Sequence, residues 1–214
     1  VAMSARRRAA LLEFARTNGA VIVEDDYDSE FRLDGRPLDA LQTLDRDQTV
    51  FYIGTFSKSL FIGPRVGFVA TPPWARRALV SAKHTFDGSN PVLTQETLAS
   101  FIAEGHLARH IRKMRKIYSE RHALLLAALT RHCKDRVHPI SAFAGVHVAA
   151  ELTGTMSAEE ICARALDVGI RLDPIDRYAF RQGAQTGLVF GYGMIGSGDI
   201  EPAIGELARV IEAC

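Results

Sequence analysis

The stretch Val50-Phe51-Tyr52-Ile53-Gly54-Thr55-Phe56-Ser57-Lys58 decides the fold. Its first half is a short apolar run that reads as a strand. Its second half turns to two hydroxyls and an amine, and Arg65 follows in the same loop. A second apolar run, Ala20-Val21-Ile22-Val23, ends in Glu24-Asp25-Asp26-Tyr27. It is short, β-branched and bounded by Gly19, which predicts a buried parallel strand. Ligands of open α/β sheets bind beyond the carboxyl ends of the strands. The two runs would therefore bring an amine, anion-binding groups, a carboxyl and a phenol into one crevice.

The flanking sequence supports an α/β chain. Ser4 is placed to cap a helix to about Thr17, with Leu11, Phe14 and Ala15 on its apolar face and Gly19 as its stop. Asp34-Gly35-Arg36-Pro37 reads as a turn, and Val66–Ala70 as a short strand closed by Pro72-Pro73. Helices are predicted over 74–86, 94–104 and 106–131, with breaks at 87–91 and Gly105. The last part changes character. Strands are expected at 145–150, 169–172 and 187–192, a helix opened by Ser157-Ala158-Glu159-Glu160 runs to Val168, and a closing helix spans 199–213. This predicts a mainly parallel large domain over 1–105, then a linking helix and a small α+β domain over 106–214.

Composition excludes some classes. The 214 residues are 47% hydrophobic and 24% charged, as in an ordinary globular protein. A net charge of +1 exerts no global pull toward nucleic acid or membranes. Cys133, Cys162 and Cys214 are widely spaced and show no metal-binding pattern, which points to a reduced, cytoplasmic setting. No apolar run is long enough to cross a membrane, and no signal peptide is visible. The sequence opens Val1-Ala2-Met3, without an initiator methionine at position 1, so a piece of something longer is expected.

The chemistry follows from the residue types. A lysine that forms a Schiff base must be desolvated or electrostatically activated, and Lys58, between apolar segments, is expected to be partly buried. Alternate residues at a strand end point the same way, so Asp25 and Tyr27 would share a face while Asp26 turns from it. A carboxyl group beside a pyridine nitrogen holds its proton, and a phenol can hydrogen-bond the ring oxygen. Arg65 offers a planar fork for phosphate, with Thr55 and Ser57 adding hydroxyls. Pyridoxal 5'-phosphate (PLP) needs this set. The alternatives are a surface lysine, a solvated acidic turn and an arginine in a surface ion pair. A serine acyl enzyme is disfavoured, because Thr55 stands where Ser-x-x-Lys needs serine and no companion motifs follow. His106 and His110 have metal-ligand spacing but no third ligand, and two exposed helix histidines fit better. Arg109, Arg112, Lys113, Arg115 and Lys116 form a basic cluster, either a solvated face or a surface for nucleic acid or a partner domain.

These residues resemble one family. Val23–Arg32, Asp34–Leu38 and Gly54–Leu60, continued by Phe101–His106, Arg109–Arg112 and Met114-Arg115, are similar to MocR-type regulators of the GntR superfamily. Those proteins join a winged helix-turn-helix to a domain like fold-type I aminotransferases of class I/II. The resemblance implies that Lys58 carries the internal aldimine, that Asp25 pairs with the pyridine nitrogen and Tyr27 with the ring oxygen, and that Thr55, Ser57 and Arg65 hold the phosphate. It also implies a homodimer, with the Ser89-Asn90-Pro91 loop reaching the partner subunit, and an amine, an amino acid or PLP itself as effector.

The departures shape the functional reading. The DNA-binding module, and the first half of the aminotransferase-like domain, would lie upstream of Val1. Aminotransferases of this fold grip the substrate carboxylate with an arginine in the C-terminal strand, and Val189 stands at that place. This favours a PLP-binding effector domain over a transaminase, with Arg171, Arg177 or Arg181 as substitutes for the missing arginine. The alternatives are a true aminotransferase fragment and an inactive remnant.

Overall fold

The computed structural model describes residues 3–32, 39–61, 63–88, 91–133, 135–141, 145–154, 157–179 and 186–213. The expected turn at 34–37, the Ser89-Asn90 step and Arg181 lie outside them. The chain forms two compact units, Val1–Lys113 and Met114–Cys214.

The first unit opens with α1, Ala5–Asn18, capped by the Ser4 side chain and stopped by Gly19 at φ 59°. Gly19 is the residue type that takes this left-handed geometry without strain. Ala15 is buried, but Phe14, expected on the apolar face, is 59% exposed. Strand β1 is Ile22–Asp26 and β2 is Val50–Thr55, paired in parallel so that Asp26 lies opposite Gly54. Strand β3, Gly67–Ala70, pairs antiparallel with β2, so the sheet is mixed, in the order β1-β2-β3. The first strand departs from expectation in two ways. It begins later and runs into the acidic cluster, and it is half open rather than buried, with Val23 61% exposed.

One turn of helix, α2 (Leu41–Leu44), precedes β2. Helix α3 (Pro73–Asp87) is anchored by Trp74, whose ring meets Phe51 edge-on at 5.7 Å and whose Nε1 donates to the Gln48 carbonyl at 2.9 Å. Gly54 lets the Phe68 ring lie over β2, since a Cβ there would fall 2.4 Å from the ring. Helix α4 spans Val92–Ala103.

The long helix α5, His106–His132, runs through the division between the units. Its C-terminal half buries Leu125, Ala128 and Leu129 in the core of the second unit. That unit has a four-stranded antiparallel sheet ordered β4-β5-β7-β6, from Val137–Pro139, His147–Leu152, Gly187–Gly191 and Asp173–Pro174. Helices α6 (Ala158–Asp167) and α7 (Ile200–Glu212) complete it. Ser157 caps α6 by accepting from the Glu160 amide, and Glu160 pairs with Arg164 at 2.6 Å. Tyr192 is 1% exposed, and its hydroxyl donates to the Gly145 carbonyl at 2.7 Å.

The strand expected at 169–172 is absent, and β6 begins only at Asp173. Gly169, at φ 82°, closes α6, and the Ile170 amide reaches back to the Ala165 carbonyl at 2.8 Å. These residues are spent on ending a helix. Among the described residues no helix is long and apolar enough to cross a membrane.

Candidate functional site

The parallel register of β1 and β2 brings their carboxyl ends to one edge of the first unit. Asp25 and Tyr27 leave from β1, and Thr55, Ser57 and Lys58 from β2. Arg65 lies just before Gly67, which pairs with Thr55, and so returns to the same edge. The Phe56 amide donates to the Val66 carbonyl at 3.2 Å and pins the two ends of the loop together. All six residues named from the sequence thus share one sheet end.

The three acids divide by task. Glu24 accepts from the Leu41 and Gln42 amides at 2.6 and 3.0 Å, capping α2. Asp26 accepts from the Ser29 amide and hydroxyl at 3.1 and 2.6 Å, and from the Tyr52 hydroxyl at 2.7 Å. Both face the covered side of β1, whereas Asp25 lies exposed on the other and its carboxylate makes no hydrogen bond among the described residues. A solvated acidic turn would not separate its members in this way. Tyr27, next in the same alternation, is 52% exposed. The charge of Asp28, then burial, then the charge of Asp25 raise its phenol above the ordinary tyrosine value. The phenol therefore remains a hydrogen-bond donor at neutral pH.

The loop after β2 is tightly turned. The Thr55 hydroxyl donates to the Ser57 hydroxyl at 3.1 Å and accepts from the Ser57 amide at 3.2 Å. The Leu60 amide closes one helical turn on the Phe56 carbonyl at 2.8 Å. Lys58 projects from this turn and is exposed rather than half-buried as expected. Arg65 is exposed too and takes φ 51°, a left-handed conformation uncommon for a residue with a Cβ. Such outliers concentrate where a side chain must be aimed.

Sequence reading missed Tyr52, whose hydroxyl holds Asp26 from the adjacent strand. The only signal was a lone phenol inside an otherwise apolar run. Burial first, then the bond to Asp26 and the charges of Asp26, Glu30 and Glu24, push the Tyr52 phenol well above its ordinary value. With the folded pKa raised, the stabilisation is complete below the unfolded tyrosine value of about 10 and is lost as pH climbs through the folded one. A tyrosinate absorbance titration is expected to show a late-titrating tyrosine that Tyr52→Phe removes. Titration of Tyr52 with the exposed tyrosines would contradict this.

In the second unit Val189 is half-buried between Ala149 of β5 and Asp173 of β6. The neighbouring Arg177 is tied to Asp173 at 2.7 Å, while Arg171 is exposed. His106 is engaged locally, at 2.7 Å from Arg109 and 3.0 Å from Glu104, and stacks on Phe101. Among the described residues no group of three or more His, Cys, Asp or Glu could hold a metal ion.

The chain is similar to known proteins. The family model of aminotransferase class I and II matches residues 2–180. The chain belongs to that family. It is 36% identical over 200 residues to the probable rhizopine catabolism regulatory protein MocR of Rhizobium meliloti, covering 94% of this chain and 41% of that protein. Among solved structures it is similar to LysN, the α-aminoadipate aminotransferase of Thermus thermophilus, complexed with N-(5'-phosphopyridoxyl)-L-leucine. That match has 30% identity and a TM-score of 0.85, covering 96% of this chain and 54% of that one. It is also similar to the Pyrococcus horikoshii kynurenine aminotransferase, at 28% identity and a TM-score of 0.87, covering 100% of this chain and 53% of that one. The chain thus spans about half the length, or less, of the relatives it matches. It is an aminotransferase-like domain homologous to part of the MocR-type regulators.

Proposed function

We propose that the shared end of β1 and β2 is a pyridoxal-phosphate site and that the chain is the C-terminal, cofactor-binding effector domain of a MocR-type transcriptional regulator. The observation that carries the cofactor reading is the separation of Asp25 from Glu24 and Asp26. The two neighbours are consumed by the fold, and the one acid left open stands at the sheet end that carries Lys58.

The donor set fits the cofactor. When bound, PLP supplies an electrophilic carbon and a ring that withdraws electrons. Lys58 provides the Nζ nucleophile. Asp25 would hold the proton on the ring nitrogen, and Tyr27 would donate its hydroxyl to the ring oxygen. Thr55, Ser57 and Arg65 would take the phosphate.

Regulation rather than turnover is supported by the regulator relatives and by Val189, which has no donor for a substrate carboxylate. Arg177 is already engaged by Asp173. In the whole protein an amine, an amino acid or PLP itself would act as effector, in a cytoplasmic homodimer that contacts DNA through a winged helix-turn-helix. Such coupling requires the ligand to bind two states with different affinity. The second reading, a working aminotransferase, is supported by enzyme relatives at 28% and 30% identity.

The two readings separate in single-turnover mixing of the PLP-loaded full-length protein with a panel of amino acids and amines. The regulator reading expects absorbance changes without release of a keto acid or aldehyde. Stoichiometric release of such a product would contradict it.

A further inference from the structure

Ser59 follows Lys58 and is the one hydrophilic residue that is buried among the described residues, at 1% exposure. Its hydroxyl is enclosed and has no hydrogen-bond partner among the described residues. An enclosed, unpaired hydroxyl works against the folded state, and alanine would fill nearly the same space without that penalty. Folding alone therefore does not account for a serine here.

Its position does. Ser59 lies in the single turn closed by the Leu60 amide on the Phe56 carbonyl, with exposed Lys58 beside it and the Thr55–Ser57 hydroxyl pair just before. In a helical turn a serine hydroxyl reaches the carbonyl three or four residues back. Here those carbonyls belong to Phe56 and Thr55, in the segment whose donors would close on a phosphate.

We propose that Ser59 is a positioning residue for Lys58. Its hydroxyl, unpaired in this turn, bonds a carbonyl of the Thr55–Phe56 segment when that segment closes on PLP. Binding then relieves a penalty that only the free form carries, which favours the ordered turn and fixes the lysine. A ligand shifts such an equilibrium only through a differential interaction of this kind. The inference rests on the reading of Lys58 and its loop as the PLP site.

The test uses Ser59→Ala in the full-length protein, with PLP itself as the probe. Three quantities are measured: the melting temperature without cofactor, the apparent dissociation constant for PLP, and borohydride trapping at Lys58. Removing a hydroxyl that is unpaired only in the free form is expected to raise the cofactor-free melting temperature by about 2–4 °C. It is expected to weaken PLP about tenfold. A merely structural serine would do the reverse, lowering the melting temperature and leaving the affinity alone. Either the absence of a thermal gain or an unchanged affinity overturns the proposal. If wild-type protein binds and traps PLP while the variant binds equally well, only the role of Ser59 falls. If wild-type protein does not bind PLP, the site reading falls and takes this inference with it.

Discussion

Lys58→Ala is expected to abolish covalent retention of pyridoxal phosphate by the full-length protein. After incubation with PLP and borohydride, the wild type should keep a reduced, covalently attached cofactor, and the variant none. The reason is positional. Lys58 is the amine that leaves the end of β2 on a closed turn, next to the Thr55–Ser57 hydroxyl pair and on the same edge as Arg65. Holding an amine in place beside its target is worth many orders of magnitude in effective concentration, and another lysine brought up from solution cannot reproduce it. Residual non-covalent binding through Thr55, Ser57 and Arg65 is compatible with this account. Stoichiometric covalent cofactor in the variant is not. Mass spectrometry of the reduced protein distinguishes them.

The second large effect concerns the fold. Leu129, on the C-terminal half of α5, is 0% exposed and belongs to the core cluster that includes Val148, Leu188, Ile204 and Leu207. Truncation there removes buried methyl groups and leaves a cavity among β-sheet and helix side chains. Leu129→Ala is expected to destabilise by about 2–5 kcal/mol, a large share of the roughly 5–15 kcal/mol typical of a domain. Leu166→Ala, at a residue 60% exposed, is the control and should stay within about 0.5 kcal/mol. Urea unfolding followed by circular dichroism measures both. Equal effects would mean that the core is not where the structure puts it.

Much of this was legible in the sequence because local chemistry and fold agree there. Ser4, Gly19 and Ser157 signal helix ends by side-chain capping or left-handed geometry, and each performs that task. The Lys58 loop was legible because an apolar run that turns suddenly polar marks a strand end. The period of two along β1 correctly set Asp25 apart from Asp26. Other features depend on pairing across the chain. The strand through Glu24 and Asp26 could not be read as such, because acids are poor strand residues until Leu41, Gln42, Ser29 and Tyr52 supply donors. The strand expected at 169–172 failed because a helix stop and a strand start compete for the same glycine. The enclosed hydroxyl of Ser59 gave no signal, since burial of a small polar residue is decided by distant neighbours.

The most direct test of the central claim is to incubate the wild-type protein with pyridoxal phosphate, reduce it with borohydride, digest it and locate the modified peptide. The account predicts a single phosphopyridoxyl group on the peptide carrying Thr55-Phe56-Ser57-Lys58, attached at Lys58. Modification elsewhere, spread over several exposed lysines, or absent altogether in the full-length protein would contradict it.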